Sequence, residues 1–157
     1  MQKFPITRVG YSKLLEELKQ LKTQDRPNII KAIAEAREQG DLSENADYQS
    51  AKEKQSFIEG RIIDLEDKIS RSEILDTSKE TDKKVKFGAK VTLINCDTET
   101  QSKYQIVGEY ESDINKGLIA INSPLAKALI GKEPQNFIEV NTPTGIKEYE
   151  LIDVEYS

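Results

Sequence analysis

Eight residues between positions 48 and 72 are spaced alternately three and four apart: Tyr48, Ala51, Gln55, Ile58, Ile62, Leu65, Ile69 and Ser72. This is the a/d series of a coiled coil, and a stripe of that period needs a facing helix to cover it. The other side carries Glu53, Lys54, Arg61, Asp64, Lys68 and Arg71, as a face turned to water should. Helical period begins at about Ser12 and runs to about Asp76, so a first arm precedes this one. Leu14, Leu18 and Leu21 start its seam, and Ile29, Ile33 and Ala36 continue it. Between them lies Asp25-Arg26-Pro27. Proline removes one helical hydrogen bond and clashes with the preceding turn, which predicts a kink, or a restart with Pro27 in the first turn. Small residues at Ala32, Ala34 and Ala36 let the arms approach closely. The joint is short, Gln39-Gly40-Asp41-Leu42-Ser43, and makes the arms antiparallel neighbours. Gly40 suits the left-handed position after a helix, and Asp41 or Ser43 suits the cap of the next. An arm of about 30 residues is about 45 Å long.

Composition narrows the chemistry. Of 157 residues, 36% are hydrophobic and 32% charged, which suits an extended helical element beside a small core. The net charge of −5 argues against coating a nucleic acid by bulk charge, though not against a local basic patch. There is no histidine and one cysteine, Cys96. An intrachain disulfide, an ordinary zinc site and histidine-dependent nucleophilic catalysis are therefore excluded. Cys96 sits in an apolar, strand-like run and reads as a packed thiol. No apolar run approaches the roughly 18 residues of a membrane span, and the amino terminus lacks a signal-peptide core, so the expectation is a soluble cytoplasmic protein.

After the arms, residues 77–84 are polar and without period, and read as a linker. Lys83, Lys84, Lys86 and Lys90 read as a solvated run. Strands are predicted over 85–96, with a bend at Gly88, and over 104–107, 118–121, 137–140 and 146–156. The last two are joined by a turn at Thr142-Pro143-Thr144-Gly145. Ser123-Pro124 followed by Gly131 predicts one short helix. The fold class is α+β: an antiparallel coiled-coil hairpin over 1–76, the linker, and a small β-rich domain over 85–157.

The turn holds Asp41, Glu44 and Asp47. Two readings of these acids stand side by side. Asp followed by Glu three residues on is nearly a capping box, and acids in a first turn favour the helix dipole. Alternatively, two carboxylates three apart share a face and can share a hard cation such as Mg²⁺, weakly unless a partner supplies further ligands. Nearby Lys31, Arg37, Lys52 and Lys54 either pair with Glu35, Glu38 and Glu53 or hold a nucleic-acid phosphate. Tyr48 begins the seam and reads as packing rather than as a base-stacking platform.

The stretch Ala32-Ile33-Ala34-Glu35-Ala36-Arg37-Glu38-Gln39-Gly40-Asp41-Leu42-Ser43-Glu44-Asn45-Ala46-Asp47-Tyr48 resembles the GreA/GreB family of bacterial transcription elongation factors. Shorter matches follow in order: Glu59-Gly60-Arg61-Ile62, Ile106-Val107-Gly108, Asn122-Ser123-Pro124-Leu125-Ala126, Leu129-Ile130-Gly131-Lys132 and Val154-Glu155-Tyr156. The whole length fits the GreA side of that family. The resemblance implies an FKBP-like second domain that docks on RNA polymerase, and a coiled coil that enters the secondary channel. It implies stimulation of the polymerase's own cleavage of backtracked RNA 3′ ends, by an accessory factor and not an enzyme. It assigns Asp41 and Glu44 to a Mg²⁺ shared with polymerase and leaves Asp47 in support. It assigns Arg37 and Lys52 to the extruded RNA. Lys52 stands where arginine is common, which makes that contact a point charge rather than a fork. Related factors with altered tip acids inhibit; here the expected pair is intact. A hairpin that satisfies its own seam is expected to be monomeric. The polymerase contacts are expected around Ser123 to Lys132. Two other functions compete: a prolyl isomerase, for which the β-rich half has few aromatics (Phe87, Tyr104, Tyr110, Phe137, Tyr149 and Tyr156), and a passive coiled-coil adaptor.

Overall fold

A computed structural model describes residues 2–40, 44–77 and 79–156. Asp41 and Ser43 of the joint, and Ser78 of the expected linker, lie outside the described residues. The chain forms two compact units, one of Tyr11–Arg71 and one of Met1–Gly10 with Ser72–Ser157.

The helical unit takes its shape from the seam. The first arm runs as α1 (Arg8–Gln20), a π turn (Leu21–Asp25) and α2 (Arg26–Arg37); the second arm is α3 (Ala46–Arg71). Ala51, Ile58, Ile62 and Leu65 are buried, as are Leu14, Leu21, Ile29, Ile33 and Ala36. Burying an Ile or Leu side chain of this kind stabilises by about 1.5–3 kcal/mol. The π turn explains the noise in the first arm. From Leu14 to Leu21 the seam advances seven residues, but from Leu21 to Ile29 it advances eight. A π turn bonds five residues back, here Arg26 N–H to the Leu21 carbonyl, and takes up the extra residue so that Ile29 returns to the seam. Pro27 then falls in the first turn of α2, where its missing N–H costs little. The backbone at Asp25 and Arg26 stays helical and neither residue caps with its side chain, so the chain widens one turn instead of restarting.

Charged side chains on the flanks of the seam bridge the arms. Arg26 makes two bonds of 2.9 Å to Glu59. Arg61 bonds Glu17 at 2.5 and 3.0 Å and also reaches Asp64 at 2.8 Å. Lys22 meets Glu66 at 2.8 Å. Arg61, read from sequence as part of a wet face, is thus half-buried as a cross-arm tie. The match Glu59-Gly60-Arg61 is explained as two ties on either side of a glycine.

The helical period expected as far as Asp76 stops at Arg71. Ser72–Ile74 becomes strand β2, which pairs in parallel with β1 (Phe4–Ile6) in the β-rich unit. There the Thr7 hydroxyl caps α1 by accepting from Gly10 N–H at 3.1 Å, and it donates to Glu111. The Glu111 carboxylate also accepts from Thr7 N–H at 2.7 Å and from Gly108 N–H at 2.9 Å. Gly108 lies so close to the Pro5 carbonyl that a β-carbon would collide with it.

The main sheet has five strands in the order β5-β4-β3-β7-β6: β3 (Lys90–Asn95), β4 (Gln101–Val107), β5 (Leu118–Ala120), β6 (Phe137–Thr142) and β7 (Gly145–Glu155). All pairs are antiparallel except β4 with β5. Alternation sends Val91, Leu93, Ile138 and Val140 into the core. On β7 the inward residues are Leu151 and Val154, three apart, because Ile152 is an extra residue where the β3 register shifts between Thr92 and Leu93. The short helix α4 (Pro124–Leu129) is capped by Ser123, which accepts from Ala126 N–H at 3.3 Å.

One reading of this half is corrected and another is refined. Cys96 is exposed in the turn after β3, not packed. Local desolvation, then the carboxylates of Glu148, Glu150 and Asp97, push its thiol above the ordinary value, which disfavours the reactive thiolate. The lysine run is exposed, as expected, and two of its four members also have partners. Lys83 reaches the Val154 carbonyl at 2.8 Å, and Lys86 pairs with Asp82 at 3.3 Å and Glu80 at 3.6 Å. The Tyr156 hydroxyl accepts from Lys86 N–H at 3.0 Å and donates to the Lys84 carbonyl at 2.5 Å. No helix among the described residues is long and apolar enough to cross a membrane.

Two stability predictions follow from the arms. A β-carbon at exposed, mid-helix Gly60 meets nothing within 4 Å. Gly60→Ala is therefore expected to stabilise the chain by about 0.5–1 kcal/mol in urea unfolding; a loss of stability would show that the site needs glycine for another reason. The Arg61 hydrogen bond, working against desolvation, holds the Glu17 carboxyl below its ordinary value. A depressed carboxylate adds stability above its unfolded pKa and loses it as pH falls through the folded one. Glu17→Gln is expected to cost at most about 1 kcal/mol at neutral pH, since the pair is partly solvated, and the gap from the parent should close in acid. A gap independent of pH would contradict this account.

Candidate functional site

The turn between the arms is built on Asn45. Its carbonyl accepts the first helical bond of α3, from Gln49 N–H at 3.1 Å, and its side-chain oxygen accepts from Tyr48 N–H at 3.0 Å. These are the two marks of an N-cap. The other half of the same amide, Nδ2, donates to the Ala36 carbonyl at 2.8 Å, next to the end of α2. That carbonyl also accepts from Gln39 N–H at 3.2 Å, so both of its lone pairs are used. Gly40 follows with φ +111, which a residue with a β-carbon rarely adopts.

This corrects the capping reading. α3 opens at Ala46 and its cap is Asn45, while Asp41 and Ser43, the caps expected from sequence, lie outside the described residues. Glu44 stands one residue ahead of the cap, outside the helix and exposed, so it is not the N3 acid of a capping box. Asp47 lies in the first turn, where the helix dipole accounts for it. Asp41, the other acid of the expected pair, lies outside the described residues. Among the described residues Glu44 has no hydrogen-bond or ion-pair partner. Sequence reasoning missed the role of Asn45, although asparagine immediately before a helix carrying an acid in its first turn is a capping signal.

The basic residues are placed as follows. Arg37, the last residue of α2, is exposed, with its guanidinium carbon 5.9 Å from the centre of the Tyr48 ring. This is within cation–π range. Tyr48 is half-buried with that cation over its ring, in keeping with packing. Lys52 is exposed and donates to Gln55 at 3.2 Å. Lys31 approaches Glu35 at 4.0 Å. No pairing with Glu38 or Glu53 occurs among the described residues.

A carboxylate that is exposed and outside the helix fits a hard cation such as Mg²⁺ by its chemistry. Yet among the described residues no three metal-ligating side chains gather. In the β-rich unit a depression of about 570 Å³ is lined by Val85, Phe87, Ile121 and Ile130, with Lys84, Lys86 and Lys127. Of the six aromatics weighed for a proline pocket, only Phe87 lines it.

The fold and its turn thus define a hairpin-bearing α+β protein that presents acidic and basic groups at the joint of its arms. Residues 4–74 match the model of the transcription elongation factor amino-terminal domain, and residues 80–156 that of the GreA/GreB carboxy-terminal domain. A transcription elongation factor GreA from Phenylobacterium zucineum is 54% identical over 156 residues, covering 99% of each chain. One from Rickettsia prowazekii is 58% identical over 154 residues, covering 98% of this chain and 95% of that one. The crystal structure of GreA factor homolog 1 of Thermus thermophilus is 25% identical, with TM-score 0.44, over 98% of this chain and 99% of that one. The chain belongs to the GreA/GreB family of transcription elongation factors.

Proposed function

We propose that this chain binds RNA polymerase, passes its hairpin into the secondary channel, and stimulates the polymerase's own cleavage of backtracked RNA 3′ ends. Family membership supports the class, and one observation carries the site: Glu44 is exposed ahead of the helix cap, with no structural partner among the described residues. A carboxylate that no described residue engages is available to another molecule.

In this reading Asp41 and Glu44 complete a Mg²⁺ site whose other ligands belong to polymerase. When bound, a second Mg²⁺ stabilises the attacking and leaving oxygens of phosphodiester hydrolysis. Arg37, seated over Tyr48, and Lys52 hold a phosphate of the extruded RNA strand. The chain is an accessory that supplies ligands and positive charge, acts as a monomer in the cytoplasm, and is not an enzyme alone. The depression beside α4 is the surface assigned to polymerase contact: its residues Ile121, Lys127, Ile130 and Gly131 lie in or beside the stretch expected from sequence. Apolar walls with Lys84 and Lys127 beside them suit a partner segment that is both apolar and acidic, Lys86 being already paired with Asp82 and Glu80.

Polymerase stalled in a backtracked complex should release short 3′ RNA fragments when the protein is added. Asp41→Ala and Glu44→Ala should each slow release on the order of a hundredfold, with the half-saturating concentration of factor nearly unchanged. A double variant that cleaves like the parent would sink the reading. Ile130→Glu should do the reverse, raising half-saturation about tenfold and sparing the rate at saturation. An unchanged half-saturation would remove the depression from the polymerase interface.

A further inference from the structure

Asn45 does more than cap α3. The carboxamide splits its two functions between the two arms. Its oxygen accepts from Tyr48 N–H at 3.0 Å on the second arm, and its nitrogen donates to the Ala36 carbonyl at 2.8 Å on the first. Arg37, the residue after Ala36, adds a second link between the arms by sitting over the Tyr48 ring. Ala36 and Arg37 thus meet Asn45 and Tyr48 in a closed clasp at the root of the turn. Asn45 is partly buried in it, while its neighbour Glu44 is exposed.

We propose that Asn45 is a positioning residue: by clasping both arms it fixes the direction in which Glu44 leaves the hairpin. The proposal rests on the reading that Glu44 acts at the polymerase centre. The physical argument is one of geometry. Glu44 shares a peptide with Asn45, whose side chain is held by both arms. A cap alone would fix that peptide relative to α3. The second bond fixes it relative to α2 as well, where Arg37 sits. Ligand donation to a site on another molecule is sensitive to such placement, and an error of about 1 Å can cost on the order of a hundredfold in rate.

Cap and clasp can be separated by substitution. Aspartate and serine are N-caps about as good as asparagine. Neither can donate from an amide nitrogen to the Ala36 carbonyl. Asn45→Asp adds a charge to the tip and Asn45→Ser does not, so an effect shared by both is due to the lost bond. The experiment is transcript cleavage by backtracked polymerase with full-length factor, titrated in both factor and Mg²⁺, alongside the unfolding midpoint of each variant. The expected result is a fall of roughly tenfold or more in rate at saturating factor for both variants, with a higher half-saturating Mg²⁺ concentration. Half-saturation in factor should stay within about twofold of the parent, and helix content should be unchanged. In the free protein, NMR should show slow exchange of the Asn45 side-chain amide protons in the parent.

Parental cleavage by both variants, or a defect in the aspartate variant alone, overturns the proposal. So does fast exchange of that amide, which tests the clasp without reference to polymerase. If the parent protein stimulates no cleavage at all, the functional reading fails instead, and the two failures are told apart.

Discussion

The apolar seam between α2 and α3 is the interaction on which the tip depends. A turn of a few residues cannot hold charged side chains in place by itself, because ordering each residue costs about 1–2 kcal/mol of backbone entropy. Here that cost is met below the turn. Ile29, Ile33 and Ala36 face a second arm that buries Ala51, Ile58 and Ile62, and the arms run to within a residue or two of the joint. Ala36 is the innermost of these small groups, and its carbonyl takes the Asn45 amide. The last seam residue of one arm is thus also an anchor for the turn.

The ion pairs along the arms play a different part. Arg26–Glu59, Arg61–Glu17 and Lys22–Glu66 are all partly solvated, so each adds little to stability. Their value lies in register. A heptad seam of similar aliphatic side chains slips at modest cost, whereas a slip of one turn would separate bidentate pairs and leave half-buried charges without partners. The π turn belongs with this. It restores the phase of the first arm after one extra residue, and without it Ile29 would rotate off the seam before the tip was reached.

Much of this architecture was legible in the sequence, and the misses share a physical origin. The second arm could be read because its spacing never varies. The first looked irregular because a single added residue breaks a period without changing composition, and only the π hydrogen bond reveals it. The end of α3 was overrun because Ser72–Ile74 continue an apolar pattern while pairing with β1, a partner about 70 residues away in sequence. Cys96 was misplaced because an apolar run does not announce where a strand gives way to a turn. At the tip, the acids were identified as candidates, but the cap was assigned too early. Asp41, Ser43 and Asn45 are all good caps by type. Asn45 adds a reach back to Ala36, a contact across nine residues that local spacing does not encode.

The structural roles also sharpen what the resemblance means. Glu59 and Arg61 tie the arms, Gly108 admits the Pro5 carbonyl, Ser123 caps α4, and Tyr156 pins the segment before β3. These family-like residues are accounted for by the fold they hold together. Asn45 and Asp47 join them once the true start of α3 is known. Glu44 does not. A carboxylate left exposed on the non-helical side of a cap gains nothing from the dipole, from packing or from a partner within the described chain. Of the acids in the described turn, the helix start accounts for Asp47 and leaves Glu44 without such a role, a distinction that spacing alone does not make. A lone exposed carboxylate binds Mg²⁺ weakly by itself, and in the proposed reading it becomes effective where a partner holds the rest of the ligand set.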